Sequence, residues 1–130
     1  MKTLVVEDDF TSRVLIQEML KNRGTVHVAV NGNEAVSAVK LAIKENDPYD
    51  LICLDIMMPG LDGQAALKEI RDVEEKAGIM GSDRAKVVMI TALGDKDNIM
   101  QAFREQCDGY VIKPVEKSNL MNELEKLSLI

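Results

Sequence analysis

The sequence predicts an α/β domain of five strand–helix units, (βα)5, with a parallel sheet covered by helices on both faces. Five short apolar runs alternate along the chain with longer amphipathic segments. The short runs are rich in β-branched residues and nearly continuous, which is typical of strands buried on both faces. Because parallel strands require right-handed crossovers, the intervening helices should lie on both sides of the sheet.

Strands and helices are predicted to alternate from the first residues to the last. The strands are centred on residues 4–6, 26–30, 51–54, 87–90 and 110–112. Each helix is indicated by apolar residues that recur every three or four positions. In chain order these are Val14, Leu15, Met19 and Leu20; Val36, Val39 and Ile43; Ala66, Ile70, Val73 and Ala77; Ile99 and Phe103; and Leu120, Leu124 and Leu127.

Glycine and short polar residues predict where the helices begin and end. Gly24 and Gly109 are expected to end helices, since glycine readily adopts the backbone conformation that follows a last turn. Asn33 and Ser118 are expected to begin helices. Residues 77–86 contain glycine and serine, and we expect them to form an exposed loop before the fourth strand.

Composition limits the class of protein. A chain of 130 residues is predicted to form one domain over residues 1–130, and its net charge of −6 disfavours binding to nucleic acids or anionic membranes. Cys53, Cys107 and the single His27 do not form a zinc-binding pattern. No apolar run approaches the ~20 residues of a membrane span. These features predict a soluble, cytoplasmic domain with reduced cysteines.

Polar residues follow four of the predicted strands, where each strand leads into a helix. Glu7, Asp8 and Asp9 follow the first strand, Asp55 the third, Thr91 and Ala92 the fourth, and Lys113 and Pro114 the fifth. In a parallel α/β sheet, ligands bind at the carboxyl ends of the strands. The sequence therefore predicts one site that gathers carboxylates, a hydroxyl group and a single cation.

Carboxylates gathered at one edge of a sheet need a counter-charge. Two of them ~5 Å apart repel each other by about 3 kcal/mol at an effective dielectric constant of ~20. Mg²⁺ would relieve this repulsion, and it keeps several waters, so the site would stay open to a phosphoryl group. Asp55, expected near the centre of the sheet, is the candidate nucleophile because a carboxylate can form an acyl phosphate.

Other phosphate-binding motifs are missing from the sequence. It contains neither a GxxxxGK[ST] loop nor a GxGxxG turn after the first strand. Two residues after Asp55, where a phosphatase of aspartyl-phosphate chemistry usually carries a second acid, the chain has Met57. His27 lies inside a predicted strand, so we interpret it as a packed or edge-strand residue rather than a catalytic base.

Four motifs together resemble the receiver domains of two-component response regulators. They are VVEDD at 5–9, LDIMMPGLDG at 54–63, ITA at 90–92 and GYVIKP at 109–114. The resemblance covers essentially the whole chain and implies a flavodoxin-like sheet of strand order 2-1-3-4-5. It also implies a signalling domain, rather than an enzyme, that accepts a phosphoryl group from a sensor histidine kinase or a phosphotransfer protein.

The resemblance also implies how the metal is held. Asp55 would be the phosphoacceptor and, together with Asp9 and the backbone carbonyl of Met57, would bind Mg²⁺ directly. Asp8 would act through a bound water. Taken without the other motifs, Asp8 and Asp9 would equally fit an acidic pair at a helix N-terminus. Glu7 is expected to be a solvated charge beside the site rather than a ligand.

Further roles implied by the resemblance concern the phosphoryl group. Lys113, the Thr91 hydroxyl and the Ala92 backbone N–H would contact it, with Thr91 moving towards it on phosphorylation. Tyr110 would be the aromatic switch residue, although it would also fit an ordinary half-buried aromatic in a strand. The Lys113–Pro114 peptide bond is expected to be cis.

Two positions depart from the family pattern. Met57 and Leu93 are expected to flank the phosphoryl position, where many relatives carry polar side chains. Neither side chain can hold an attacking water by a hydrogen bond, so we expect a long-lived phosphorylated state. The interval from Asp55 to Thr91 is longer than is usual in the family, and the excess fits the loop at 77–86. Nearby, Asp62 is expected to form a turn and a helix cap.

Three functional interpretations follow. The first is a stand-alone receiver whose phosphorylation controls a protein-binding surface on the fourth helix, fifth strand and fifth helix, because no basic helix-turn-helix segment follows residues 128–130. The second is a receiver that belongs to a longer regulator with a DNA-binding or enzymatic output domain. The third is a silent receiver used as a scaffold, which the complete set of predicted site residues disfavours.

Overall fold

The chain folds around one parallel sheet in this computed structural model, which describes residues 1–92 and 94–130. The strands are β1 (Thr3–Val6), β2 (Val26–Ala29), β3 (Leu51–Asp55), β4 (Lys86–Thr91) and β5 (Gly109–Ile112), in the order β2-β1-β3-β4-β5. The helices are α1 (Phe10–Leu20), α2 (Gly32–Lys44), α3 (Gly63–Lys76), α4 (Lys96–Arg104) and α5 (Lys117–Lys126). The predicted (βα)5 alternation and strand order are confirmed.

The sheet separates two apolar cores. Every residue of β1 and β3 is buried, and alternate residues of each strand face opposite cores. One core holds Leu4 and Ile52 together with the apolar stripes of α2 and α3. The other holds Val5 and Cys53 together with α1 and α5. Burial on both faces explains why β1 and β3 are nearly continuous apolar runs, whereas the outer strands β2 and β5 each have exposed residues.

The predicted apolar face of α1 is wrong at Val14 and Leu15, whereas Met19 and Leu20 pack against the core as predicted. Ile16 and Leu20, four residues apart, are buried, whereas Val14 is 37% exposed and Leu15 is 53% exposed. Residues 14–16 are all apolar, so the sequence pattern does not specify which of them faces the sheet. The result is an exposed apolar surface on α1 beside the carboxyl ends of the strands.

The predicted pattern of α4 is also partly wrong. Ala102 is buried against the sheet, while Phe103 is 45% exposed and packs edge-on against Tyr110 of β5. The small alanine lets α4 lie close to the sheet, and the larger neighbouring ring turns outwards. For the other helices, Val36, Val39, Ala66, Ile70, Leu120 and Leu124 are buried as predicted, whereas Ala77 is exposed just beyond the end of α3.

Helix boundaries differ from prediction by a few residues. Asn31, rather than Asn33, caps α2, because its Oδ1 accepts from the Glu34 N–H at 2.8 Å. Ser118 lies inside the first turn of α5, and Gly109 begins β5 instead of ending α4. Gly24 does end the short 3-10 turn at Lys21–Arg23, with a positive φ of 121°.

The loop before β4 is exposed over most of its length, as predicted. It contains a short 3-10 turn at Gly81–Asp83, and Met80 beside this turn is 60% exposed. Because β4 begins at Lys86, the loop lies at the amino ends of the strands. The predicted site lies at the opposite, carboxyl ends.

The single histidine and the two cysteines have structural surroundings. His27 lies on the edge strand β2, as predicted, with Nδ1 2.8 Å from the Tyr49 hydroxyl oxygen. Cys53 and Cys107 are both buried and free. Burial raises the pKa of the Cys53 thiol to about 12 and that of Cys107 to about 11. Within the described residues, no helix is long and apolar enough to cross a membrane.

Candidate functional site

The carboxyl ends of β1, β3, β4 and β5 bring the predicted polar residues together. Strand register explains the arrangement: Val6 pairs with Leu54, so the next residues, Glu7 and Asp55, are neighbours. Thr91 ends β4, and Lys113 directly follows β5. The structure therefore brings Glu7, Asp55, Thr91 and Lys113 to the same edge of the sheet.

Asp55 lies at the centre of the site and is almost completely buried. Its Oδ2 accepts from the Lys113 ammonium at 3.0 Å, and its Oδ1 accepts from the Met57 backbone N–H at 3.2 Å. Both carboxylate oxygens are therefore engaged. A buried carboxylate with these contacts is held in one orientation by its surroundings.

The end of β3 is fixed by the start of α3. Asp62 caps α3 as predicted, since its Oδ1 accepts from the Ala65 N–H at 2.9 Å. Gly63 lies so close to the acceptor residue that a Cβ there would be 2.2 Å from the Asp55 carbonyl oxygen. Any side chain at residue 63 would therefore push the helix away from Asp55.

Glu7 departs from the expectation of a solvated charge. Its side chain is completely buried, and its Oε2 lies 3.6 Å from the Lys113 Nζ without accepting a hydrogen bond. Burial, and next the neighbouring Asp55 charge, raise the pKa of Glu7 to about 7. β1 ends at Val6, but the Glu7 N–H still donates to the Ala29 carbonyl at 3.1 Å, so the pairing with β2 continues for one residue and holds Glu7 inside.

The acidic cluster consists of Glu7, Asp8 and Asp55, which each place one carboxylate oxygen within 4.8 Å of the others. Asp9, predicted to be a direct metal ligand, is not part of this cluster. Its Oδ2 accepts from the Ser12 N–H at 2.9 Å and caps α1. That hydrogen bond lowers the pKa of Asp9. The helix N-terminus alternative therefore describes Asp9, whereas exposed Asp8 joins the cluster.

Lys113 is the cation closest to the cluster among the described residues. Partial burial lowers its pKa, but the hydrogen bond to Asp55 and the charges of Asp55 and Glu7 outweigh burial, so the net effect raises it. Its backbone N–H donates to the Thr91 carbonyl at 2.7 Å. The Lys113–Pro114 peptide bond is cis, as predicted.

The remaining predicted site residues surround this centre. Thr91 is buried at the end of β4, and Ala92 beyond it is exposed. Met57 is 66% exposed, so its side chain lies at the open surface. Tyr110 is partly exposed on the outer side of β5. Leu93, the second predicted flanking residue, lies outside the described residues.

A groove of about 370 Å³ opens beside the acidic cluster. Glu7 and Lys113 line its polar end, while Leu15, Pro114 and Val115 line its apolar side. The groove therefore gives access to the site from the exposed surface of α1. Sequence reasoning missed the burial of Glu7, its place in the acidic cluster, and this groove.

Comparison with known protein families gives one strong match. Residues 3–125 match the family profile described as the response regulator receiver domain. The chain is 34% identical over 127 residues to the transcriptional regulatory protein ResD of Bacillus subtilis, covering 97% of this chain and 47% of ResD. It is 32% identical to the chemotaxis protein CheY of Halobacterium salinarum, covering 95% of this chain and 92% of that protein.

Solved structures with similar folds include two receiver domains. The receiver domain of Ssk1 of Saccharomyces cerevisiae, crystallised with the histidine phosphotransfer protein Ypd1, gives a TM-score of 0.83 at 28% identity, covering 98% of this chain and 88% of that one. The receiver domain of the histidine kinase CKI1 of Arabidopsis thaliana, complexed with Mg²⁺ and BeF3⁻, gives 0.81 at 26% identity, covering 98% and 89%.

Proposed function

Because this chain belongs to the response regulator receiver domain family, we propose that it is a signalling domain whose Asp55 accepts a phosphoryl group. The observation that carries the proposal is the buried Asp55 carboxylate at the carboxyl end of β3, bound by Lys113 at 3.0 Å. A carboxylate held in this way beside a cation is suited to nucleophilic attack on a phosphorus atom.

The donor in the proposed reaction is a phosphohistidine of a sensor kinase or a phosphotransfer protein. One Asp55 carboxylate oxygen attacks the phosphorus, a P–O bond forms, and the P–N bond to the histidine breaks with its electron pair leaving on the imidazole. Lys113, already beside Asp55, stabilises the negative phosphoryl oxygens. The Thr91 hydroxyl and the Ala92 backbone N–H supply further donors once the group is in place.

The acidic cluster fits a divalent cation. Three carboxylates meet there, and the buried Oε2 of Glu7 accepts no hydrogen bond within the described residues. Glu7, Asp8 and Asp55 would hold Mg²⁺ through carboxylate oxygens, with the Met57 carbonyl as a further ligand, and this set replaces the predicted set that contained Asp9. When bound, Mg²⁺ would neutralise charge on the transferred phosphoryl group.

A likeness to Ssk1, whose receiver domain is crystallised with a phosphotransfer protein, supports a protein donor. The net charge of −6 supports a protein rather than a nucleic acid as the direct partner. We place the downstream partner on α4, β5 and α5, where Phe103, Tyr110 and Ile112 are partly exposed apolar side chains. The buried, reduced thiols accord with a cytoplasmic location.

A second candidate is a receiver within a longer regulator. The chain spans 47% of ResD but 92% of the Halobacterium CheY. In the first case the phosphorylated receiver would control an attached output domain; in the second it would act as a single domain over residues 1–130. Both candidates use the same Asp55 chemistry.

The proposed function is tested by phosphorylation with acetyl phosphate and Mg²⁺. Asp55 should carry acid-labile phosphate, located by mass spectrometry, and Asp55→Asn should abolish it. Asp62→Asn is the matched control, because Asp62 caps α3 and asparagine caps a helix equally well. Full labelling of Asp55→Asn would remove Asp55 from the proposed role.

A further inference from the structure

A buried arginine on the far side of the site joins three segments of the fold. The Arg71 guanidinium of α3 donates to Glu74 Oε1 at 2.7 Å and to the Ala85 carbonyl at 2.8 Å. It also donates to the Gln106 carbonyl at 2.8 and 3.0 Å and to Asp108 Oδ2 at 2.9 Å. We call this group of five residues the clamp. All five guanidinium donors of Arg71 lie within reach of an acceptor, which is the arrangement that makes a buried charge tolerable.

The clamp fastens the C-terminal end of α4. Gln106 and Asp108 belong to the connection between α4 and β5, and Asp108 Oδ2 also accepts from the Val87 N–H at 2.8 Å. Arg84, from the loop before β4, donates to the Gln106 side chain. This end of α4 is therefore tied to α3, to β4 and to the loop by charged and backbone groups together.

The N-terminal end of α4 is held differently. The Gln64 Nε2 of α3 donates to the Asn98 carbonyl at 2.5 Å, and we call this hydrogen bond the latch. Gln64 is buried, yet its Oε1 has no partner among the described residues. Asp95 precedes α4 without capping it, and its carboxylate accepts instead from the Asn98 side chain at 2.7 and 2.8 Å. A half-satisfied amide gives a weaker attachment than a fully bonded guanidinium.

The weakly held end of α4 is the end connected to the site. Three residues separate Thr91, at the end of β4, from Asp95. A displacement of Thr91 towards a phosphoryl group would therefore act first on the latch and only later on the clamp.

We propose that α4 is hinged: the Arg71 clamp holds its C-terminal end, and release of the Gln64–Asn98 latch frees its N-terminal end when Asp55 is phosphorylated. The inference rests on the proposed function for the trigger, but the unequal attachment of the two ends is a property of the unmodified protein. Gln64 and Arg71 are positioning residues, since neither belongs to the acidic cluster or to the groups expected to contact the phosphoryl group.

The first test uses the unphosphorylated protein and amide hydrogen exchange by NMR. Gln64→Leu removes the latch and the unpartnered Oε1 together, so global stability should stay close to wild type. Exchange at Ile99, whose N–H donates to Asp95, should accelerate by about fivefold, and exchange at Cys107 should not change. The matched control is Gln101→Leu, at an exposed position of the same helix. Equal acceleration at both ends, or none at Ile99, would overturn the latch.

The second test addresses the clamp with two variants. Arg71→Lys keeps the charge but not the five-donor fork, and Asp108→Asn is a milder change if the lysine variant fails to fold. In either variant, exchange at Cys107, whose N–H donates to the Ala102 carbonyl, should accelerate more than exchange at Ile99. The reverse ratio in the folded variants would overturn the assignment of Arg71.

The third test adds beryllofluoride and Mg²⁺ to the wild type. Backbone shift changes should be large at residues 96–100 and small at residues 105–108. In Arg71→Lys or Asp108→Asn they should spread to residues 105–108. Changes at Asp55 and Lys113 with a uniform response along α4 would reject the hinge and leave the proposed function intact. No change at Asp55 or Lys113 would reject the proposed function, and the exchange tests would still decide the unequal attachment.

Discussion

Lys113 reaches across the width of one strand to bind Asp55. Asp55 ends β3 and Lys113 directly follows β5, and β4 lies between these two strands. The Lys113 Nζ nevertheless lies 3.0 Å from the Asp55 Oδ2. The cation therefore compensates the acceptor carboxylate before any phosphoryl group arrives. On phosphoryl transfer, Lys113 exchanges the Asp55 carboxylate for the negative phosphoryl oxygens as its partner. The lysine therefore does not have to move into the site first.

The acidic cluster predicts a magnesium-dependent stability that separates Asp8 from Asp9. Mg²⁺ at ten times its dissociation constant should stabilise the wild type by about 1.4 kcal/mol, because it binds only the folded cluster. Asp8→Ala should lose most of this gain. Asp9→Ala should lose about 1 kcal/mol through its helix cap and keep the gain. Thermal melts with EDTA and with Mg²⁺ measure both, and a gain lost only in Asp9→Ala would contradict the cluster.

The buried Glu7 predicts a pH dependence in EDTA. Its pKa is raised to about 7 in the folded protein, so the carboxyl is protonated in both states below pH ~4.3, the ordinary value for Glu. Between that pH and about 7 only the unfolded chain loses the proton, so folding stability falls as pH rises. Glu7→Gln should remove this slope, so the difference in unfolding free energy between wild type and variant should change by about 4 kcal/mol at most across this range. Urea titrations from pH 4 to 8 measure it, and parallel curves would contradict it.

We expect the Thr91 hydroxyl to be needed for the response at the outer face but not for phosphorylation of Asp55. Thr91→Ala should still accept a phosphoryl group on Asp55, but the shift in population at the outer face should be lost because the hydroxyl contact is gone. In wild type, beryllofluoride should change the NMR signals of the Phe103 and Tyr110 rings and of Lys117. Thr91→Ser, which keeps the hydroxyl, is the control. Full ring responses in Thr91→Ala would assign the coupling elsewhere.

Because of Met57, we expect phosphorylated Asp55 to be hydrolysed slowly. The exposed apolar side chain of Met57 offers an attacking water no hydrogen bond, and positioning of that water is the remaining contribution to hydrolysis. Met57→Asn, or its combination with Leu93→Glu, should accelerate single-turnover decay by about tenfold, or ~1.4 kcal/mol of barrier. Met80→Asn, equally exposed on the opposite loop, should have no effect. Unchanged decay in both Met57 variants would show that residue 57 does not control the water.

The sheet and its site were predictable because their signals are local and repeated. Five apolar runs give five strands, and parallel strands bring their carboxyl ends together. Asp55, Thr91 and Lys113 each stand at the end of such a run, so their meeting follows from the topology alone.

The sequence pattern could not predict which of Glu7, Asp8 and Asp9 join the acidic cluster and which one caps α1. A shift of one residue in the point where the strand ends and the helix begins decides which of the three consecutive acids faces the site. Such a shift turns each side chain to the opposite side. Strand register places Glu7 beside Asp55, and the Ser12 N–H takes Asp9 as a cap. Register with a distant strand is not encoded in the local run of residues.

The clamp was not predictable either. Arg71 contacts residues 14 to 37 positions away in sequence as well as its own helix. An arginine on an amphipathic helix is ordinarily a solvated charge, and only the fold reveals that this one is enclosed.

The enclosed thiols of Cys53 and Cys107 make the chain suited to site-specific labelling. With their pKa raised to about 12 and about 11, almost none of either sulfur is thiolate at neutral pH, and neither is accessible to an alkylating reagent. A cysteine introduced for Met80 would therefore take a maleimide fluorophore selectively. The dye would sit at the amino ends of the strands, where it leaves the acidic cluster and its groove unobstructed for a phosphodonor.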